Sequence, residues 1–212
     1  ADLASGGAHA ADLASGGAHA ADLAPALRHP RRPRLLWMRT YHELYDPMLA
    51  VDALEHLLER RPDAHLTMAG QDKGLQGDVE AEVARRGLGE AVTVTGFAAG
   101  PAKDELLRTH DVLLSTNRVD NAPVTVVEAC AAGLVVVARA VGGVPALLDH
   151  GEAGVLVEGR SGAALARAVD QVLAEPARAD RLVAGGHRVA AAHRWDVVGP
   201  AWHALLEELR RA

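Results

Sequence analysis

Six short apolar runs punctuate this chain: Leu35 to Met38, His65 to Met68, Val92 to Val94, Val112 to Leu114, Leu134 to Val137 and Val155 to Val157. Each has the length of a strand and is mostly apolar at consecutive positions, so both of its faces need cover. Strands of that kind belong to parallel sheets sandwiched between helices. The stretches between the runs, roughly 47–60, 76–87, 101–109, 124–132, 161–174 and 178–193, repeat Leu, Val and Ala every three to four residues. This alternation predicts an α/β domain with a Rossmann-like, doubly wound parallel sheet. Ligands of such sheets lie beyond the carboxyl ends of the strands. The loops after Met38, Met68, Thr95, Ser115 and Ala138 are therefore the places to look for function.

The chain before Arg34 is of another kind. The decapeptide ADLASGGAHA at 1–10 recurs unchanged at 11–20, and ADLA at 21–24 begins a third copy. Its Ala, Gly and Ser offer little to bury, so residues 1–33 are expected to form a flexible leader and 34–212 the folded domain. His9 and His19 of the repeats are read as solvated and given no role. With 212 residues, 49% of them apolar, the chain has core enough for one domain and is cramped for two.

A net charge of −6 provides no broad cationic face, which argues against a nucleic-acid partner. Cys130 is the single cysteine, so no internal disulfide and no thiolate metal site can form. No uninterrupted apolar run approaches the ~18 residues of a spanning helix, and no charged head precedes an apolar core as in a signal peptide. A cytoplasmic protein without a transmembrane segment is expected.

The stretch from Asp120 to Gly133, DNAPVTVVEACAAG, carries the most chemistry. Pro123 suits the first turn of a helix and Gly133 the position just past its end, which predicts a helix over about 123–132. Free N–H groups and positive partial charge at its start favour a phosphate. Glu128 lies one and a half turns into that helix, and Asp120 lies in the loop before it. Two carboxylates so placed suit hydroxyls on two sugars flanking a phosphate, the layout of ribose, diphosphate and hexose in a nucleotide sugar. The residues alone leave another reading open, with Asp120 as a helix cap and Glu128 as a solvated helix residue.

The run VLLSTNRVDNAPVTVVEACAAGLVVVARAVGGVPALLDHGEAGVLV, residues 112–157, resembles the donor-binding domain of glycosyltransferase family 4, whose members have the two-domain GT-B fold. Strand, carboxylate element, helix, strand, Gly-Gly-x-Pro loop and closing turn follow in the family's order. LLWMRTYHELYDPMLAVDAL, HLTMAGQDKG, VTVTGF and the tail HRWDVVGPAWHALLEEL extend the likeness over most of 34–205. The resemblance implies a single domain equivalent to the C-terminal half of a GT-B enzyme. It further implies retaining transfer from a nucleotide-diphosphate sugar, with no metal and no other cofactor. On this resemblance Glu128 binds the ribose, and Asp120, in place of the family's first Glu, faces the transferred sugar. Backbone N–H groups around Val124 and Thr125, the Thr125 hydroxyl and neighbouring Asn121 serve the substrate, and Gly142 and Gly143 allow close approach to the hexose. Arg39 matches the Arg that neutralises the leaving diphosphate, a role suited to its fork of donors. The bland alternatives are a surface ion pair for Arg39 and a simple tight turn for the two glycines.

Three departures stand out. Tyr45-Asp46-Pro47 replaces the family's Lys-Gly pair, with Lys73 as a candidate substitute cation; Ala122-Pro123 replaces Phe-Gly; and Ala146 replaces an acidic residue. Family members also place an acceptor-binding domain before the donor domain, where this sequence has the leader. An acceptor-domain protein or a second copy is thus an expected partner beside the nucleotide sugar. The tail 197–211 carries an apolar face of Val198, Trp202, Leu205 and Leu206 that is expected to lack cover from its own chain. Two other functions fit less well: a nucleotide-sugar-binding module without turnover, and half of a sugar-nucleotide epimerase.

Overall fold

All six apolar runs become strands of one sheet. A computed structural model describes residues 26–29 and 31–211. Its strands are β1 (Arg34–Met38), β2 (His65–Ala69), β3 (Val92–Thr95), β4 (Val112–Ser115), β5 (Val135–Arg139) and β6 (Val155–Val157). They pair in parallel throughout, in the order β3-β2-β1-β4-β5-β6. Between and after them run α1 (Pro47–Leu58), α2 (Gln76–Arg85), α3 (Pro101–Thr109), α4 (Val124–Ala131), the short α5 (Val144–Leu147), α6 (Gly162–Ala174), α7 (Pro176–Ala192) and α8 (Trp195–Arg211).

The two-faced apolar runs fill two cores. Successive residues of a strand point to opposite sides. Leu35, Trp37, Val112, Leu114, Val135 and Val137 accordingly join the core that holds α1 and α6, while Leu36, Leu113 and Val136 join Val126, Ala129 and Cys130 of α4 on the other face. Full burial of such side chains contributes about 1.5–3 kcal/mol each. Burial also pushes the Cys130 thiol up to about 12, so it packs as a small hydrophobe and not as a nucleophile. The chain steps outward from β1 to β3 and then returns to β4 beside β1, which makes the β1/β4 junction the point where winding reverses. Crevices at such points hold ligands.

The structure differs from the sequence reading at the start of the domain, and at its end it leaves most of the expected apolar face uncovered. Residues 26–29, expected in the leader, pack on it: Ala26 and Leu27 are buried, and the Ala26 N–H donates to Asp180. The Arg28 guanidinium donates to the carbonyls of His110 and Ala132, both at 2.8 Å. The fully buried Asp111 accepts the backbone N–H groups of Arg28, His29 and Arg34 at 2.6, 2.9 and 2.9 Å. Composition could not reveal this, because the backbone N–H groups of this segment pair with the Asp111 and Asp180 carboxylates, which lie far along the chain. The decapeptide repeats, with His9 and His19, lie outside the described residues. At the other end α8 begins at Trp195 and exposes Trp202, Leu205, Leu206 and Leu209, with Val198 half-buried. Among the described residues no helix is long and apolar enough to cross a membrane.

Candidate functional site

Beyond the carboxyl ends of β1, β2 and β3 the loops stay side by side. The Arg39 N–H donates to the Ala69 carbonyl at 3.1 Å, Tyr41 to Gln71 at 2.9 Å, and Gly70 to Gly96 at 3.2 Å. A Cβ on Gly70 would lie 1.7 Å from the Arg39 carbonyl oxygen, so a residue with a side chain could not occupy this crossing. The resulting shelf and the start of α4 enclose an open cavity of about 300 Å³ whose lining includes Arg39, Gly70, Phe97, Lys103, Thr125 and Glu128. This is the sheet edge to which the strand pattern pointed.

The carboxylate element is built around α4. Pro123 is its N-cap and supplies no side-chain cap, while the Val126 and Val127 N–H groups turn back to the Pro123 carbonyl at 3.0 and 3.4 Å. The first N–H groups of an α-helix have no partner within it, so those of Val124 and Thr125 stand at the open end. Asp120 is thus no helix cap. Its carboxylate instead pairs with the Arg39 guanidinium and accepts from Asn117 Nδ2 at 2.8 Å. Glu128 Oε1 meets Lys103 Nζ of α3 at 2.6 Å across the cavity. Each expected carboxylate therefore faces a cation, and each pair is partly buried.

Arg39 is held by more than its ion pair. The Tyr45 ring lies 4.4 Å from the guanidinium carbon, within cation–π range. Tyr45 ends a 3-10 turn, Glu43–Tyr45, which two bonds clamp to the loop after β4: Thr116 Oγ1 donates to the Tyr45 carbonyl at 2.7 Å and the Arg118 N–H to that of Leu44 at 2.8 Å. The next residue, Asp46, is buried in a left-handed conformation and accepts two bonds from Arg160, at 2.6 and 2.9 Å. The departure at Tyr45-Asp46-Pro47 therefore exchanges a cation for an aromatic support beneath Arg39.

Two expectations change in detail. Lys73 is exposed and its described contact is a backbone one, N–H to the Tyr41 carbonyl at 3.3 Å. It does not line the cavity; Lys103 does. Sequence reasoning passed over Lys103, although one of only two lysines at the start of the helix following β3 was a usable signal. Gly142 and Gly143 do permit a close approach, and it is to the carboxylate loop: added Cβ atoms would lie 2.1 Å from the Asp120 and Asn121 carbonyl oxygens respectively. The Gly143 N–H donates to the Asp120 carbonyl at 3.0 Å, so this loop braces the backbone that carries Asp120 and Asn121. Among the described residues Arg39 Nε and Asn117 Oδ1 are buried without a hydrogen-bond partner. Among the described residues no three His, Cys, Asp or Glu side chains converge as a metal site would require.

Known proteins resemble the chain in sequence and in fold. The chain is 33% identical over 192 residues to a D-inositol 3-phosphate glycosyltransferase of Geodermatophilus obscurus, covering 84% of this chain and 42% of that protein. It is 36% identical over 123 residues to a GDP-mannose-dependent alpha-(1-6)-phosphatidylinositol monomannoside mannosyltransferase of Mycobacterium tuberculosis, covering 53% of this chain and 31% of the relative. The chain thus spans less than half the length of either. Among solved structures, Anabaena HepE in complex with UDP and glucose superposes with a TM-score of 0.74 at 21% identity, over 86% of this chain and 49% of its own. That likeness shows the fold, which is one half of a GT-B architecture. The sequence profile described as "Glycosyl transferases group 1" matches residues 26–189, and by that match the chain belongs to this family.

Proposed function

We propose that this chain is the donor-binding part of a retaining glycosyltransferase and holds a nucleotide-diphosphate sugar at the β1/β4 junction. The observation that carries the reading is the convergence of Arg39, the start of α4, Asp120 and Glu128 on one sheet edge. In this reading the diphosphate sits at the N-terminus of α4, where the N–H groups of Val124 and Thr125 and the Arg39 guanidinium counter the charge that develops as the sugar departs. These groups, and no metal ion, stabilise the leaving group. Glu128 accepts from the ribose hydroxyls while Lys103 steadies it, and Asp120 accepts from a hydroxyl of the hexose. Asn121, Gly142 and Gly143 act through the backbone that positions Asp120. The UDP and glucose held by the Anabaena protein and the GDP-mannose named for the Mycobacterium relative support this class of donor. A cytoplasmic setting belongs to the same reading.

Transfer in this reading requires an acceptor-binding domain, in keeping with the share of its relatives that the chain spans. Holding donor and acceptor in near-attack geometry contributes about 7–11 kcal/mol, and a donor domain alone cannot supply it. The test is calorimetric titration of the full chain with UDP-glucose and GDP-mannose, followed by tracing labelled sugar into lipid and saccharide acceptors. Binding without multiple-turnover transfer is expected. Robust transfer by the monomer would contradict the half-enzyme reading, and transfer confined to a homodimer would give the acceptor role to a second copy. Donor binding that never yields transfer, even with an acceptor domain added, would favour a binding module. Absence of binding to every nucleotide sugar would end the donor reading.

A further inference from the structure

Arg39 lines the cavity and Asp120 does not, yet the two side chains form an ion pair. Asp120 has little freedom to leave. Asn117 donates to the same oxygen, Oδ2, and Asn117 is itself fixed by Arg139, which donates to its carbonyl at 3.1 Å. Behind it the Gly142-Gly143 backbone is packed against the Asp120 carbonyl. Two donors thus load Oδ2, and among the described residues Oδ1 accepts no hydrogen bond.

A diphosphate at the start of α4 needs the same guanidinium that Asp120 already engages. Once bound there, it competes with a fixed carboxylate for N–H donors and lies near a like charge, which disfavours it. A hexose on that diphosphate reverses the balance, because its hydroxyls can donate to the open Oδ1. From this arrangement, and resting on the nucleotide-sugar reading above, we infer that Asp120 is a selectivity element: it weakens the hold on a bare nucleoside diphosphate and so favours the intact donor over the product that transfer leaves behind. A carboxylate that merely held Arg39 in place would do the opposite. Its removal would loosen both ligands together.

The experiment compares the full chain with Asp120→Asn, which removes the charge and keeps the size. Calorimetry is run with UDP, GDP and inorganic pyrophosphate and with UDP-glucose and GDP-mannose. Asp120→Asn should bind the nucleoside diphosphate roughly twofold to fivefold tighter, the scale of one partly screened charge pair, while the corresponding nucleotide sugar binds no tighter. Asp120→Glu, which retains the charge, should bring the nucleoside diphosphate back toward wild-type affinity. In an Arg39→Ala background the part of the gain that comes from freeing the guanidinium should vanish, leaving only the relief of like-charge repulsion. If Asp120→Asn binds the diphosphate equally or more weakly while the wild type binds both ligand classes, the inference is overturned and the donor reading survives. If the wild type binds no nucleotide and no nucleotide sugar, the donor reading falls and the inference with it.

Discussion

Asp111 and Asp120 stand at opposite ends of β4 and are treated in opposite ways. Asp111, just before the strand, is fully buried, and both of its oxygens accept backbone N–H groups: Arg28 and His29 on Oδ1, Arg34 on Oδ2. Its one loose neighbour is His29 Nδ1 at 3.4 Å. Asp120, past the strand, is held by side chains on a single oxygen, and its immediate partners Arg39 and Asn117 keep buried polar atoms unused. A buried polar group without a partner is costly, so folds complete such groups wherever nothing else will do so. At the closed end of β4 the chain satisfies the carboxylate itself and leaves His29 Nδ1 beside it buried without a partner among the described residues; at the open end Asp120 keeps Oδ1 free and both of its partners keep such an atom. His110 repeats the lesson at the closed end. Its Nδ1–H donates to the Leu106 carbonyl at 2.7 Å, its Nε2 accepts from Thr67 Oγ1 at 2.8 Å, and burial pushes its pKa down to about 4.

The sharpest way to break this contrast is to remove each carboxylate in turn. Asp111→Ala strands three backbone N–H groups and should lower stability by about 3 kcal/mol or more. Asp120→Ala loses a partly buried ion pair and strands the buried Asn117 amide, and should lower stability by about 1–2 kcal/mol, clearly less than Asp111→Ala. Denaturant melts of both variants check this, and equal losses would erase the distinction between the two ends.

The next effect concerns the cavity itself. Glu128→Ala should weaken donor binding by about 1.5–3 kcal/mol, the range for losing hydrogen bonds to a charged group. Lys103→Ala, which removes only the partner of Glu128, should weaken it by less than about 1 kcal/mol. Titration with whichever of UDP-glucose or GDP-mannose the wild type binds decides the order. A larger loss from Lys103→Ala would make the lysine, and not the carboxylate, the group that meets the nucleotide.

The same contrast separates what the sequence made legible from what it hid. The strands were readable because a run apolar at consecutive positions has one physical solution, a sheet with a core on each side, and the residues of β4 and β5 divide between the two cores as alternation requires. Pro123 and Gly133 bracketed α4 to within a residue, since backbone geometry at helix ends is a local property. Pro176 opens α7 in the same manner and was overlooked, which put that helix two residues late. Long-range pairing of side chains was not legible. Nothing local tells Arg39 that Asp120 will be its partner, or places the Tyr45 ring against its guanidinium. Gly142 and Gly143 announced a close approach without saying to what, and the answer, the 120–121 backbone, required the fold. The packing of residues 26–29 was hidden for a related reason, because it depends on a buried carboxylate far along the chain.

On the proposed function, the open end of β4 receives a diphosphate. The most direct measurement is the affinity of Arg39→Ala for a nucleoside diphosphate beside its affinity for the bare nucleoside, with UDP against uridine and GDP against guanosine. The diphosphate should lose about 2 kcal/mol or more while the nucleoside is nearly unaffected, with Arg39→Lys restoring only part of the loss because an ammonium lacks the planar fork. Equal weakening of both ligands would contradict that function, and would make Arg39 a structural partner of Asp120 and nothing more.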